Sequence, residues 1–280
     1  MIARPFLRLA GPAAAAVWTL SASVLPGIAV PSASAEPCPD VEVVFARGTG
    51  EDPGVGPTGQ AFIDHLRPRI GAKSLGVYPV NYPASDEWAT GVDGIRDAGA
   101  HVVSMAGTCP NTQMVLGGYS QGAAVMGFVT SSAVPDGIDP TTVPKPLDPT
   151  VANHVSSIVL FGLPNIRAME FLGQPPVAIG PLYQAKTIKV CATDDPVCSQ
   201  GLNFAAHNAY ADDGMMIDQG AAFAASRLGP SAPAPGAPAQ AVLETESRCP
   251  GKRTAARLLT VRCPESGLPA ENGWHQRETG

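Results

Sequence analysis

Ser120 stands at the centre of Gly118-Tyr119-Ser120-Gln121-Gly122, between the apolar run Met114-Val115-Leu116 and a run rich in Ala, Val, Met and Phe over 123–129. A serine between glycines, leaving a strand and entering a helix, is the pattern of a nucleophile elbow. The tight turn lifts the hydroxyl above the sheet, and the glycines leave room where strand and helix approach closely. The helix that follows points its N-terminus at the place where negative charge develops during acyl transfer. The alternative is an ordinary glycine-rich turn in a chain with 30 glycines.

A serine hydroxyl attacks poorly unless a base takes its proton and a carboxylate orients that base. In hydrolases built on an elbow, the acid and then the histidine follow the serine along the chain. Five histidines are available. His65 and His101 precede Ser120 in helical patterns and are expected at solvated helix positions. His154 precedes a strand, at the wrong end of the sheet, and His275 lies in a polar tail. His207, past the last short strand, remains as the base. Between Ser120 and His207, Asp136, Asp139 and Asp148 fall in a proline-rich loop where turn roles are the default. Asp194 and Asp195 lie between Cys191 and Cys198, and spacing does not choose between them. A bridge joining those cysteines would close a loop of eight residues, contribute about 2–3 kcal/mol, and pin the acid beside its histidine. The oxyanion needs two donors. The backbone N–H of Gln121 is one, and the loop Arg47-Gly48-Thr49-Gly50 after the first strand offers Thr49 as the other.

These residues require an alternating framework of strands and helices. Strands are expected at 41–46, 75–82, 112–119, 155–161 and 187–191, with helices at 58–70, 92–106, 121–131 and 214–228. That order implies an α/β fold with a mainly parallel sheet of about five strands, helices on both faces, and the site at the carboxyl ends of the strands. A loop with five prolines spans 135–149, and a Gly/Pro-rich apolar loop spans 173–184. In the latter, Pro175, Pro176, Val177, Ile179, Leu182 and Tyr183 either wall an acyl groove or pack against the core. No long insertion forms a lid.

The first 35 residues read as a secretory signal peptide: Arg4 and Arg8, an apolar stretch over 9–30, and Ala33-Ser34-Ala35 as the cleavage site. No later stretch is long and apolar enough to span a bilayer. Residues 36–229 form the folded unit, and 230–280 open on a Pro/Ala linker and continue as a polar, mostly disordered tail. All six cysteines follow Ala35, and export favours disulfides over metal sites. Cys249 and Cys263 are a candidate pair within the tail. Residues 36–229 carry 10 Lys and Arg against 19 Asp and Glu, a balance of −9. Such a surface has no footprint for nucleic acid and favours uncharged substrates.

Four segments together resemble the cutinase family, and within it the secreted cutinase-like esterases of mycobacteria and related actinobacteria. They are Val44-Phe45-Ala46-Arg47-Gly48-Thr49, Gly117-Gly118-Tyr119-Ser120-Gln121-Gly122-Ala123, Cys191-Ala192-Thr193-Asp194-Asp195-Pro196-Val197-Cys198, and His207-Asn208-Ala209-Tyr210. The resemblance runs from about Cys38 to Leu228. It implies a compact α/β-hydrolase fold and selects Asp195 over Asp194 as the acid beside Ser120 and His207. It pairs Cys38 with Cys109 and Cys191 with Cys198. The longer loop encloses 72 residues and contributes about 4 kcal/mol in the chain-entropy account. Thr49 stands where the best-known members have serine, so the hydroxyl survives with an added methyl. The implied activity is hydrolysis of short- to medium-chain fatty acyl esters, with aliphatic polyesters as further substrates and no metal or organic cofactor. A phospholipase or thioesterase, or a non-catalytic surface-binding protein, are the alternatives on the same fold. The protein is expected to be a monomer.

Overall fold

The computed structural model describes residues 37–229. The expected signal peptide, the expected tail with Cys249 and Cys263, and His275 lie outside the described residues. The chain enters through β1 (Val41–Ala46), whose six residues are all buried. It continues through α1 (Gly56–Leu66), β2 (Leu75–Pro79), α2 (Gly91–Thr108), β3 (Gln113–Tyr119), α3 (Gln121–Val129) and β4 (Val155–Phe161). It then forms α4 (Ile166–Phe171), α5 (Pro181–Gln184), β5 (Thr187–Val190), α6 (Phe204–His207) and α7 (Gly214–Arg227).

The strands make one five-stranded sheet in the order β2-β1-β3-β4-β5, parallel throughout. Alternation along each strand splits the core in two. Val44, Ala46, Leu116, Ile158 and Leu160 pack with α2 and α3 on one face. Val43, Phe45, Val115, Val159 and Phe161 pack with α1 and α7 on the other. The chain steps outward from β1 to β2 and returns to place β3 on the opposite side of β1. The reversal falls between the carboxyl ends of β1 and β3, which is where open α/β sheets bind ligands.

Several expected boundaries shift, each for a local reason. The first helix stops at Leu66 and tightens to a 3₁₀ turn over Arg67–Ile70, because Pro68 lacks the N–H and its ring crowds the preceding turn. Strand β2 ends at Pro79 instead of residue 82, because the carbonyls of Val80, Tyr82 and Pro83 accept from the Arg47 guanidinium. Helix α3 ends two residues early, where Thr130 Oγ1 bonds back to the Met126 carbonyl at 2.9 Å. Three short helices have no counterpart in the sequence reading. Helix α4 starts where Asn165 Oδ1 accepts from Ala168 N, but Ile166 and Phe171 are exposed, so it shows no apolar period. The loop over 173–184 contains α5. His207 ends α6 rather than sitting in a loop, with Asn203 capping its first turn.

Both disulfides implied by the family resemblance are formed, Cys38 with Cys109 and Cys191 with Cys198. Among the described residues no helix is long and apolar enough to cross a membrane.

Candidate active site

Ser120 leaves β3 at φ 54° and ψ −118°. A positive φ costs a residue with a Cβ on the order of 1–3 kcal/mol and persists where the surroundings enforce it. Here they do. Ser120 N donates to the Phe161 carbonyl at 2.9 Å, and its own carbonyl accepts from Ala124 N at 3.1 Å. The flanking glycines are required by contact. A Cβ on Gly118 would come within 2.3 Å of the Gly122 carbonyl oxygen, and one on Gly122 within 2.0 Å of the Ala46 carbonyl oxygen.

His207 Nε2 lies 2.9 Å from Ser120 Oγ, and His207 Nδ1 lies 2.8 Å from Asp195 Oδ2. Asp195 is fully buried, and Ser120 and His207 are each 9% exposed. The carboxylate accepts from two further donors: Val197 N donates to Oδ1 and the Tyr210 hydroxyl to Oδ2, each at 2.8 Å. The Cys191–Cys198 disulfide closes the loop that carries it, with Cys198 Sγ 3.1 Å from Oδ2. Asp194 points elsewhere. It takes φ 64°, its side chain is exposed, and its carbonyl accepts from Asn203 N at 3.0 Å. The left-handed turn at Asp194 is what separates two adjacent carboxylates into one solvated and one buried. With Nδ1 donating to Asp195, His207 Nε2 is free to accept the serine proton, which is the arrangement acyl transfer needs.

Two tyrosines hold this group, and the sequence reading assigned neither a role. Tyr210 accepts from Ala192 N at 2.8 Å while donating to Asp195. Burial first, and then the bond to Asp195, pushes its phenol far above the usual range, so it stays a donor. The Tyr119 hydroxyl donates to the His207 carbonyl at 2.7 Å, and its ring lies 5.3 Å from the imidazole. Both residues belong to the quoted motifs, but their roles depend on contacts 15 and 88 positions away.

The loop after β1 is fixed from below. The buried Arg47 guanidinium donates to the carbonyls of Glu51 and Tyr82 at 2.8 and 2.7 Å, and the Tyr82 hydroxyl returns a bond to the Arg47 carbonyl. Glu51 accepts from Gly48 N at 2.7 Å. Desolvation raises its pKa, against the pull of that bond and of Arg47. Thr49 Oγ1, carried on this loop, is buried and has no hydrogen-bond partner. A buried hydroxyl without a partner is costly, and a transient substrate oxygen would satisfy it. Gln121 opens α3 with a backbone N–H that the helix itself does not use. Its side-chain Nε2 donates to the Ser85 carbonyl at 3.0 Å.

The other candidates are dispersed. Val177, Ile179 and Tyr183 pack against the core on the α2–α3 face, Leu182 is 53% exposed, and Pro175 lines a cavity beside α3. His101 departs from its expected solvated position. It lies 3.0 Å from Glu42 Oε2, is only 18% exposed, and stacks on Tyr78 at 3.5 Å, because the facing strands supply both partners. His65 is 3.0 Å from Asp218 of α7, and His154 meets the Pro110 carbonyl.

A family model described as Cutinase matches residues 37–228. Probable carboxylesterase Culp5 of Mycobacterium tuberculosis is 58% identical over 168 residues, covering 60% of this chain and 95% of that one. Phospholipase Culp4 of the same species is 43% identical over 221 residues, covering 79% of this chain and 92% of the relative. Trichoderma reesei cutinase in complex with a C11Y4 phosphonate inhibitor superposes with a TM-score of 0.52 at 33% identity, over 69% of this chain and 78% of that chain. This chain belongs to the cutinase family and is a serine ester hydrolase.

Proposed function

We propose that the protein is a secreted carboxylesterase that cleaves short- to medium-chain fatty acyl esters with Ser120 as nucleophile, His207 as base and Asp195 as its orienting acid. The observation that carries this reading is the unbroken line of contacts from Ser120 Oγ through His207 to Asp195. Ser120 Oγ attacks the ester carbonyl carbon as its proton passes to His207 Nε2. The oxygen that becomes negative is held by Gln121 N–H and Thr49 Oγ1. Collapse breaks the ester C–O bond, and His207 gives the proton to the leaving oxygen. Water, activated by the same imidazole, then releases the acid. Every step uses groups of the chain and water.

The negative balance of residues 36–229 supports uncharged esters over nucleic acid. Leu202 and Phe204, 86% and 68% exposed just before His207, support apolar substrates, polyesters among them. A phospholipase reading shares every one of these groups, and the likeness to Culp4 favours it as the second choice. Secretion, with cleavage near Ala35, is supported by the charged and apolar leader pattern and by two disulfides, which persist in oxidising compartments. The family match ends at residue 228, which supports catalysis by 36–229 without 230–280.

Rates on p-nitrophenyl esters from acetate to palmitate, beside a phosphatidylcholine, test the choice. The expected profile peaks in kcat/KM between butyrate and octanoate, with the phospholipid slower. A phospholipid rate above every simple ester transfers the protein to the second reading. No hydrolysis of any ester contradicts both.

A further inference from the structure

The loop after β1 holds a half-buried acid, Glu51, that the acyl-transfer steps leave unused. Glu51 follows Thr49 by two residues and turns its carboxylate back under the loop. Its Oε2 accepts from Gly48 N at 2.7 Å, and its own N–H donates to the Gly48 carbonyl at 3.3 Å. A charged acceptor makes a hydrogen bond about twice as strong as a neutral one. The same oxygen packs over the first residue of α1, where a Cβ on Gly56 would come within 2.1 Å of it. Helix α1 has no acid in its first turn and no side-chain cap, so Glu51 supplies the negative charge that a helix N-terminus favours.

This placement bears on Thr49. The residues on either side of it are each tied by their N–H: Gly48 to Glu51 Oε2, and Gly50 to the Ala84 carbonyl at 2.7 Å. Between them, Thr49 Oγ1 is buried and unpartnered. The two ties differ in kind. Ala84 is 1% exposed and held at φ 51°, so its tie is made by the backbone. The tie on Gly48 depends on one side chain. Arg47 cannot replace it, because a guanidinium has no acceptor. Gly48 also rests on the ring of Tyr119: a Cβ on it would come within 2.6 Å of Tyr119 Cδ1. Tyr119 precedes Ser120 and donates to the His207 carbonyl. Glu51 therefore draws the loop that carries Thr49 onto the residue that joins nucleophile and base.

Holding a charge here has a cost. Desolvation raises the Glu51 pKa, and the Gly48 N–H and the Arg47 charge oppose that rise. The other ionisable groups facing it are the phenols of Tyr82 and Tyr119, both pushed far up, first by burial. An uncharged polar residue would close the same turn with less desolvation.

We propose that Glu51 is a positioning residue for the oxyanion: its carboxylate, acting through Gly48 N–H, holds Thr49 Oγ1 where the tetrahedral oxygen forms. This rests on the Ser120 reading above. That oxygen carries charge only after attack, so misplacing its donor lowers kcat and leaves KM alone. A displacement of about 1 Å costs up to about a hundredfold.

The test measures kcat and KM on p-nitrophenyl butyrate, with circular dichroism spectra, in wild type, Glu51→Gln, Glu51→Ala, Thr49→Val, each Glu51 variant combined with Thr49→Val, and Ser120→Ala. Thr49→Val removes the hydroxyl, keeps the side chain's shape and is expected to lower kcat about 100-fold. Glu51→Ala is expected to lower kcat at least tenfold and Glu51→Gln at least fivefold, with KM within twofold of wild type. Added to Thr49→Val, either change is expected to cost less than a further twofold, because the hydroxyl that it positions is gone. A general loosening of the fold would act alike in both backgrounds. A smaller kcat loss in either Glu51 variant, a larger change in KM, or a further loss of twofold or more beside Thr49→Val overturns the inference. Should Glu51→Ala fail to fold, Glu51→Gln, of the same shape as the native side chain, gives all three readings. Ser120→Ala separates the two proposals. Retained butyrate hydrolysis there removes the serine reading, whereas failure of the Glu51 inference leaves Ser120→Ala inactive.

Discussion

Ser120→Ala lowers kcat on p-nitrophenyl butyrate by roughly 10⁵-fold, with the circular dichroism spectrum unchanged. The magnitude follows from removing the only atom that forms the acyl bond. Loss of a serine nucleophile elsewhere costs about as much as loss of its whole triad. The fold survives because the backbone of residue 120 is held by its own N–H and carbonyl bonds, which alanine keeps. Ser120→Gly separates activity from stability. It is equally inactive, but it relieves the φ of 54° and gains about 1 kcal/mol despite the added chain entropy of glycine. A thermal melt of the two variants reads this as a Tm several degrees higher for the glycine form. Residual activity above about 1% in Ser120→Ala, or a less stable Ser120→Gly, would count against the strained nucleophile.

Asp195→Asn lowers kcat by about 10⁴-fold, while Asp194→Asn stays within threefold of wild type. An amide at residue 195 presents an N–H or a weaker acceptor to His207 Nδ1. The imidazole then loses the tautomer that leaves Nε2 able to accept from Ser120. The buried site also loses a charge that three protein donors are arranged to hold. The hydrogen bond that Asp194 makes runs through its backbone, its carbonyl accepting from Asn203 N, so its carboxylate can change freely. Steady-state kinetics on purified variants give the ranking, and the reverse order would reassign the acid.

The contrast between those two residues marks where sequence stops informing structure. The elbow was legible because its causes are local: glycines two positions either side of a serine, an apolar strand before it and a helix after. The strands at 41–46 and 155–161 were legible for the same reason, since both are buried apolar runs bounded by turns. Asp195 was not chosen by spacing, because a single left-handed turn at Asp194 decides which carboxylate goes inward. Only the family resemblance selected it. The roles of Tyr119, Tyr210 and Arg47 were invisible, because each acts on a group that only the folded chain brings near: the His207 carbonyl, the Asp195 carboxylate and the carbonyls of Glu51 and Tyr82. His101 was misjudged for a related reason: its partner Glu42 lies 59 positions earlier, on the neighbouring strand.

The central claim is that one residue, Ser120, carries the acyl group. Treatment with an excess of a p-nitrophenyl alkylphosphonate, followed by intact-mass analysis and peptide mapping, tests it most directly. The account predicts one phosphonyl group per chain, one p-nitrophenolate released, and the adduct on the peptide that contains Gly118-Tyr119-Ser120-Gln121-Gly122, with no adduct in Ser120→Ala. A stoichiometric adduct on any other residue, or complete inhibition without an adduct, would contradict it.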